Sequence, residues 1–249
     1  MTERTETMLY LNGVSVSFDG FKALNNLSII VQPNEMLAII GPNGAGKTTM
    51  MDCITGKTRP DEGELYFDGR TDLAKLDEAT IANLGIGRKF QKPTVFESHT
   101  IWDNLVLSLK KPRGVFNALF YSQTTVDKAR IEEILETVRL SKRKDELAAD
   151  LSHGQKQWLE VGMLLAQDPK LLLVDEPVAG MTDAETVETA KLLKDIAKTR
   201  SVVVVEHDMS FVRELGSRVT CLAEGSVLAE GTLDQVSANP VVIERYLGR

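Results

Sequence analysis

The sequence predicts an α/β domain with a largely parallel sheet, into which a helical subdomain is inserted. The apolar runs "KLLLVDE" at 170–176 and "SVVVVEH" at 201–207 flank the helical pattern "AETVETAKLLKDIAKT". Continuous apolar strands joined by a helix are typical of parallel strands that are covered on both faces. From about 99 to 165, in contrast, helical periodicity dominates and no good strand is found.

The N-terminal part supplies further predicted strands. Residues 9–18 and 27–41 form short β-branched runs separated by Asn, Gly and Pro, and "GELYFDG" at 63–69 adds another. A chain of 249 residues is long enough for one such core with an inserted subdomain. We therefore assign residues 1–92 and 167–249 to an α/β catalytic core and residues 93–166 to a helical subdomain.

Composition and charge narrow the class of function. The net charge of −7 argues against non-specific nucleic-acid binding, which requires a basic surface. The N-terminal "MTERTETMLY" lacks an apolar signal-like segment, and no run approaches the roughly 18 apolar residues that cross a bilayer. We expect a cytoplasmic protein, in which any membrane function comes through partner chains.

The strongest motif is "GPNGAGKTT" at 41–49, which fits G-x-x-x-x-G-K-[ST] between an apolar strand and a helix. In such a P-loop, backbone N–H groups and the helix N-terminus bind phosphate oxygens, and Lys47 supplies a cation to the β and γ phosphates. Thr48 is placed to bind Mg²⁺. The predicted nucleotide-binding residues of this loop are Gly41, Pro42, Asn43, Gly44, Ala45, Gly46, Lys47, Thr48 and Thr49.

A second signal is the pair of adjacent carboxylates, Asp175 and Glu176, after the strand "KLLLV". Unpaired charges at the end of a buried strand are costly to desolvate, so they need a function or a partner. Acids commonly end strands, and the pair is informative only beside the P-loop. There, Asp175 could hold Mg²⁺ through water, and Glu176 could orient and deprotonate an attacking water.

Two further residues are weaker candidates. His207 follows the strand "SVVVV" and is either a structural histidine or a γ-phosphate contact at the same edge of the sheet. Gln91, in "GRKFQKPTVF", lies at the junction of the core and the helical subdomain and means little by itself.

The stretch "LSHGQ" at 151–155 has two compatible interpretations. The pattern S-x-x-Q is a capping box, in which Ser152 caps the helix and Gln155 reaches back to it. A capped helix N-terminus with Gly154 at its second position is also an anion site that a phosphate can approach closely.

Taken together, these motifs resemble the ATP-binding subunits of ABC transporters. The P-loop, Gln91, "LSHGQ", "LLLVDEP" and His207 occur in the order and at roughly the spacing of that family, over nearly the whole chain. The resemblance implies a P-loop NTPase core of the ABC ATPase type with an antiparallel β subdomain. It also implies ATP and Mg²⁺ as ligands, and an aromatic stack on adenine at Phe18 or, as a poorer match, Phe21.

The family also implies a head-to-tail pair of ATP-binding subunits with two ATP molecules sandwiched between them. The second subunit is either another copy of this chain or a sibling ATPase. Across that pair, the signature residues Ser152, Gly154 and Gln155 would bind the nucleotide of the partner.

Within one chain, the resemblance implies two sets of residues. The catalytic set is Lys47, Gln91, Glu176 and His207. The metal-binding set is Thr48, Gln91 and Asp175. Gln91 would also be the hinge that passes motion to integral membrane permease subunits, which would hold this chain on the inner face of the cell membrane. The segment "KPTVFESHTIWDNL" would be the surface that docks on these subunits. An external solute-binding protein would deliver the solute to them.

Three segments, "GRKFQKPTVF", "LSHGQKQWLEVGMLL" and "EPVAGMTD", are similar to importers of branched-chain amino acids and urea, and most of all to the urea type. The first expectation is therefore uptake of urea or a short amide, with branched-chain amino acids as the alternative. An exporter ATPase is a further alternative. A non-transport ABC ATPase is disfavoured because the sequence has neither a long heptad insert nor a second P-loop.

Two positions depart from the family pattern. His153 replaces the first Gly of the usual L-S-G-G-Q, and Thr182 stands where the segment after Pro177 usually ends in Asp. The usual Asp-mediated contact between the two ATP sites is therefore in doubt. The sequence "TDAE" at 182–185 predicts a capping box for the next helix instead.

Overall fold

A computed structural model describes residues 6–89, 94–110 and 124–248 of the chain. Gln91 lies outside the described residues. The strands are β1 (Leu9–Phe18), β2 (Phe21–Val31), β3 (Met36–Ile40), β4 (Glu62–Phe67), β5 (Thr71–Asp72), β6 (Ile86–Lys89), β7 (Leu171–Asp175), β8 (Ser201–Val205), β9 (Arg218–Ala223) and β10 (Ser226–Gly231).

The helices of the described residues follow in chain order. They are α1 (Lys47–Ile54), α2 (Glu78–Leu84), α3 (Ile101–Ser108), α4 (Thr125–Thr137), α5 (His153–Ala166), α6 (Asp183–Ala197), α7 (Met209–Leu215), α8 (Leu233–Ser237) and α9 (Pro240–Val242). Together with the strands they confirm the predicted α/β fold.

The larger sheet has the strand order β10-β9-β3-β8-β7-β6, and its neighbours are parallel except for the β9–β10 pair. Its central strands are buried on both faces, as their continuous apolar sequences predict. In β7, Leu171 and Leu173 contact the core beside α1, whereas Leu172 and Val174 contact the core formed with α3 to α7. This alternation follows from the two-residue period of a strand.

The smaller sheet is antiparallel, with the order β2-β1-β4-β5. Its inner face shares one apolar core with the larger sheet, and Met50, Met51 and Cys53 of α1 lie in that core. The antiparallel β subdomain that the family resemblance implied is therefore present.

The middle of the chain is helical, as predicted: the described residues 94–110 and 124–166 contain no named strand. An apolar cluster that includes Ile101, Ile131 and Leu159 joins α3, α4 and α5. The same cluster continues to Leu172 and Val174 of β7, so the boundary of the helical subdomain at residues 93–166 stays a prediction.

Candidate functional site

The carboxyl ends of three neighbouring strands meet at one edge of the larger sheet. The backbone N–H of Glu176, after β7, donates to Val205 O at 2.9 Å. The backbone N–H of Glu206, after β8, donates to Ile39 O of β3 at 3.0 Å. The P-loop after β3, the two carboxylates at the end of β7 and His207 after β8 are thus brought to one edge, which is where ligands bind in open α/β sheets.

The P-loop needs glycine at two positions because of close backbone contacts. At Gly41, with φ 147°, a Cβ would lie 2.2 Å from Leu222 O. At Gly46, with φ 97°, a Cβ would lie 2.6 Å from Ala23 O. Gly46 is also the N-cap of α1, and no side chain caps this helix, so its first N–H groups are available to phosphate oxygens.

Lys47 lies at the mouth of this loop. Its Nζ donates hydrogen bonds to Gly41 O at 2.6 Å and to Pro42 O at 2.9 Å. Burial lowers the pKa of Lys47, and the nearby carboxylates of Glu176 and Asp175 oppose that shift. The ammonium group is therefore close to both the P-loop carbonyls and the acidic strand end.

Asp175 is buried, with 5% of its surface exposed. Arg88 of β6 approaches it, with Nη2 3.5 Å from Asp175 Oδ2, and Arg88 Nη1 also pairs with Asp52 of α1. Burial raises the pKa of Asp175, while the charge of Arg88 acts in the opposite direction. Sequence reasoning missed Arg88 and Asp52, because Arg88 reaches this carboxylate through the pairing of β6 with β7, and Asp52 of α1 joins the group only through Arg88.

Glu176 has a left-handed backbone, with φ 45°. Such a conformation is strained for a residue with a side chain, at a cost of about 1–3 kcal/mol, and it clusters at functional sites. The side chain stays 30% exposed, and its Oε1 lies 3.4 Å from Nδ1 of His207. The backbone thus turns sharply after Asp175 and leaves the two carboxylates in different environments.

Glu206 is a site residue that sequence reasoning missed. It is 1% exposed and accepts hydrogen bonds from the backbone N–H groups of His207 at 2.9 Å, Asp208 at 3.3 Å and Val178 at 3.4 Å. Burial raises its pKa, although these three bonds act in the opposite direction. Glu206 ties the turn that carries His207 to the segment after Glu176.

The signature segment forms the predicted capping box. Ser152 Oγ accepts from the N–H of Gln155 at 3.2 Å, and Gln155 Oε1 accepts from the N–H of Ser152 at 3.1 Å. His153 Nε2 lies 3.1 Å from Ala179 O. The histidine that departs from the family pattern therefore contacts the segment that follows the two carboxylates.

A second predicted capping box begins α6, where Thr182 Oγ1 accepts from the N–H of Glu185 at 3.3 Å and the N–H of Thr182 donates to Glu185 Oε2 at 3.0 Å. Glu185 also reaches α5, because its Oε1 accepts from the hydroxyl of Ser152 at 2.8 Å. Sequence reasoning identified this box but not its contact with the signature serine.

The described residues on either side of Gln91 bind the same side chain of α5. Lys89 Nζ lies 3.6 Å from Glu160 Oε2, and the hydroxyl of Thr94 donates to Glu160 Oε1 at 2.9 Å. Burial lowers the pKa of Lys89, and Glu160 opposes this shift. Lys89 and Thr94 thus both contact α5 through Glu160.

Several of the remaining predicted nucleotide-binding residues lie at the surface. Phe18 and Phe21 pair at the end of the β1–β2 hairpin and are 49% and 66% exposed. Asn43, Gly44 and Thr48 of the P-loop segment are exposed as well. Stacking of adenine on Phe18 stays a prediction.

The oxygen ligands of this edge fit Mg²⁺. The described residues contain no cluster of three or more His, Cys, Asp or Glu side chains that could hold a metal alone. Mg²⁺ is commonly bound by one or two protein oxygens together with substrate phosphates and waters. The hydroxyl of Thr48 and the buried carboxylate of Asp175 are donors of this kind.

The α/β fold, with the P-loop and the two carboxylates at the carboxyl ends of its strands, defines a nucleotide-binding protein of the P-loop class. The sequence profile of the ABC transporter family matches residues 24–179. The high-affinity branched-chain amino acid transport ATP-binding protein LivG of Escherichia coli K12 is 32% identical over 254 residues, which cover 98% of this chain and 99% of that protein. A probable protein of the same name from Archaeoglobus fulgidus is 35% identical over 251 residues, covering 97% and 95%.

Solved structures agree. A nucleotide-free ATP-binding cassette from an ABC transporter superposes with a TM-score of 0.84 at 30% identity, covering 98% of this chain and all of that one. The ADP conformation of such a cassette gives 0.85 at 30% identity, covering 98% and 99%. A dimeric bacterial ABC transporter cassette gives 0.75 at 27% identity, covering 91% and 99%.

This chain belongs to the ABC transporter family. It is an ATP-binding subunit of that family and an ATPase, as the match of the whole cassette indicates. No helix among the described residues has the length and apolar character needed to cross a membrane.

Proposed function

We propose that this chain hydrolyses ATP for an importer, working in a head-to-tail pair of ATP-binding subunits. The observation that carries the proposal is the convergence of the P-loop, Asp175, Glu176 and His207 at one sheet edge. The nucleotide would lie along the P-loop with its phosphates at the N-terminus of α1. Mg²⁺ held by Thr48 and Asp175, together with Gln91, would supply charge neutralisation on the phosphate oxygens.

Within one chain, Glu176 is the general base. Its carboxylate is partly exposed and accepts a proton from the water that attacks the γ-phosphate. His207, 3.4 Å from that carboxylate, donates to the γ-phosphate and holds it in line with the water. When ATP binds, the ammonium group of Lys47 exchanges its hydrogen bonds to Gly41 O and Pro42 O for contacts with the β and γ phosphates.

Across the pair, Ser152, Gly154 and Gln155 would contact the nucleotide held by the other subunit. A dimeric relative that covers 91% of this chain supports such pairing. ATP would close the pair and hydrolysis would release it. Gln91 would pass this motion to membrane permease subunits; the contacts of Lys89 and Thr94 with Glu160 of α5 support this proposal.

The general-base assignment is tested by Glu176→Gln. Glutamine keeps the size of the side chain but cannot take a proton, so ATP turnover should fall about 10²–10⁴-fold while ATP affinity persists. Steady-state hydrolysis and nucleotide titration measure the two quantities. The matched control is Glu224→Gln, an exposed carboxylate paired with Arg245. Near-normal turnover of the Glu176 variant would reject the assignment.

The solute is a separate proposal. We infer urea or a short amide, on the likeness of "LSHGQKQWLEVGMLL" and "EPVAGMTD" to urea-type subunits. The relatives named for branched-chain amino acid transport favour those solutes as the second candidate, at identities of 32–35%.

Uptake by cells with and without this chain separates the two candidates. Labelled urea, acetamide and leucine are offered in parallel, and the cells lacking the chain are complemented with the wild type or with Glu176→Gln. Urea uptake that depends on the wild type alone supports the first proposal. Loss of leucine uptake with unchanged urea uptake would contradict it and establish the second candidate.

A further inference from the structure

The N-terminus of α5 already holds an anion from its own chain. Glu185 of α6 accepts a hydrogen bond from the hydroxyl of Ser152, with 2.8 Å between Oγ and Oε1. The same carboxylate lies against Gly154, since a Cβ at that glycine would be 2.7 Å from both Cδ and Oε1 of Glu185. The signature hydroxyl and the open face of the signature glycine are thus both in contact with Glu185.

The two oxygens of Glu185 bridge two helix N-termini. Oε1 binds Ser152 at the start of α5, while Oε2 accepts from the N–H and the hydroxyl of Thr182 at the start of α6, each at 3.0 Å. These hydrogen bonds, that from the Thr182 backbone first, lower the pKa of Glu185. The group is therefore a carboxylate at neutral pH.

The electrostatics of the α5 N-terminus explain why it contacts the carboxylate of Glu185. The first turn of α5 contains no acidic residue, and the partial positive charge of a helix N-terminus attracts negative charge. A carboxylate supplied by α6 satisfies that preference within one chain. In the proposed pair of subunits, the γ-phosphate of the partner's ATP would approach the same hydroxyl and the same glycine, and two anions within a few ångströms repel one another.

We propose that Glu185 is a positioning residue of the signature site, which orients the hydroxyl of Ser152 and is replaced there by the γ-phosphate of the partner's ATP. The proposal rests on the cross-subunit role of Ser152 given above. It predicts that the charge of Glu185 opposes ATP-driven pairing, whereas a residue that only caps α6 would support pairing or leave it unchanged.

The test is Glu185→Gln in the non-hydrolysing Glu176→Gln chain. Glutamine serves in a capping box as glutamate does, so the cap of α6 persists and only the charge is removed. Pairing is measured by analytical ultracentrifugation over a range of protein concentrations at saturating ATP and Mg²⁺. The affinity of the single chain for ATP is measured separately by nucleotide titration.

We expect Glu185→Gln to lower the dissociation constant of the ATP-bound pair about tenfold, while the ATP affinity of the single chain is unchanged. The matched control is Glu188→Gln, which removes the same charge from the same helix but contacts Arg139 and Lys191 rather than α5. Thermal unfolding of both variants confirms that each is folded. Pairing that is no tighter than that of the control overturns the proposal.

A third variant, Ser152→Ala, separates this proposal from the proposed function. If Ser152→Ala weakens pairing but Glu185→Gln does not tighten it, the signature site stands and Glu185 is only a cap of α6. If neither substitution changes pairing, the cross-subunit assignment of Ser152 fails as well. A chain with Glu185→Gln that stays monomeric with ATP also overturns the proposal.

Discussion

The N-termini of α1 and α5 differ in their side-chain capping. Helix α1 starts behind Gly46, with φ 97° and no side-chain cap. Helix α5 starts behind Ser152, with a complete capping box and the carboxylate of Glu185 from α6. Both helices are proposed to contact phosphates of ATP. Helix α1 would contact the ATP bound by its own chain, and α5 would contact the ATP bound by the other subunit.

The difference matches the partner that each helix is proposed to meet. The nucleotide of α1 is held by its own chain, and the P-loop before α1 is shaped by contacts of Gly41 and Gly46 with backbone carbonyls of the chain. The nucleotide of α5 would arrive only with a second subunit. Within the single chain, the hydroxyl of Ser152 donates to Glu185 instead, and the exchange proposed above would replace this contact with one to the γ-phosphate.

For the comparison of the two helices, the largest expected effect is that of alanine at Gly46. The backbone there is left-handed, and the new Cβ would lie 2.6 Å from Ala23 O and 2.8 Å from Leu24 Cδ2. We expect Gly46→Ala to lower the free energy of unfolding by about 1–3 kcal/mol and to weaken ATP binding by the single chain at least about tenfold. Urea unfolding and nucleotide titration measure the two effects; unchanged ATP affinity would show that α1 does not need this loop geometry.

The same substitution at Gly154 should act differently. Gly154 is helical, and the new Cβ meets the end of the Glu185 side chain rather than backbone. Because alanine favours a helix over glycine by about 1 kcal/mol, we expect Gly154→Ala to keep the stability within about 1 kcal/mol. The single chain should bind ATP normally and pair poorly with ATP, which nucleotide titration and sedimentation check. Weak ATP binding by the single chain would mean that Gly154 contacts the nucleotide of its own chain, as α1 does, and would contradict the proposed difference between the two helices.

Sequence alone predicted those site features that depend on local order along the chain. The P-loop follows directly after β3, and Asp175 and Glu176 directly follow the apolar run of β7, so strand ends and motif spacing placed them together. The capping boxes at Ser152 and Thr182 were likewise readable, because a box spans four consecutive residues.

Contacts between distant segments could not be predicted in the same way. Arg88 reaches Asp175 only because β6 pairs with β7 in one register, and Glu185 reaches Ser152 only because α6 lies beside α5. The prediction also missed β6 as a strand. Its four residues, "IGRK", include a glycine and two charged residues, so the segment lacks the apolar run by which the other parallel strands were predicted.

The smallest expected effect is a titration in acid, which α5 has through Glu185 and for which α1 has no acidic residue in its first turn. Hydrogen bonds from Thr182 and Ser152 hold the pKa of Glu185 below its usual value of 4.5, and the electrostatic interaction with His153 acts in the same direction. A carboxylate whose folded pKa is depressed stabilises the fold fully above its unfolded pKa, and this contribution is lost as the pH falls through the folded pKa.

Wild type should therefore exceed Glu185→Gln in unfolding free energy by about 0.5 kcal/mol near neutral pH, a small value because solvent screens the group. The difference should vanish as the pH falls below the depressed pKa. Denaturant titrations of both chains across that range measure it. No acidic side chain lies in the first turn of α1, so the P-loop helix has no counterpart to this titration. A difference that persists in acid would mean that the hydrogen bonds of Glu185, rather than its charge, hold α5 and α6 together.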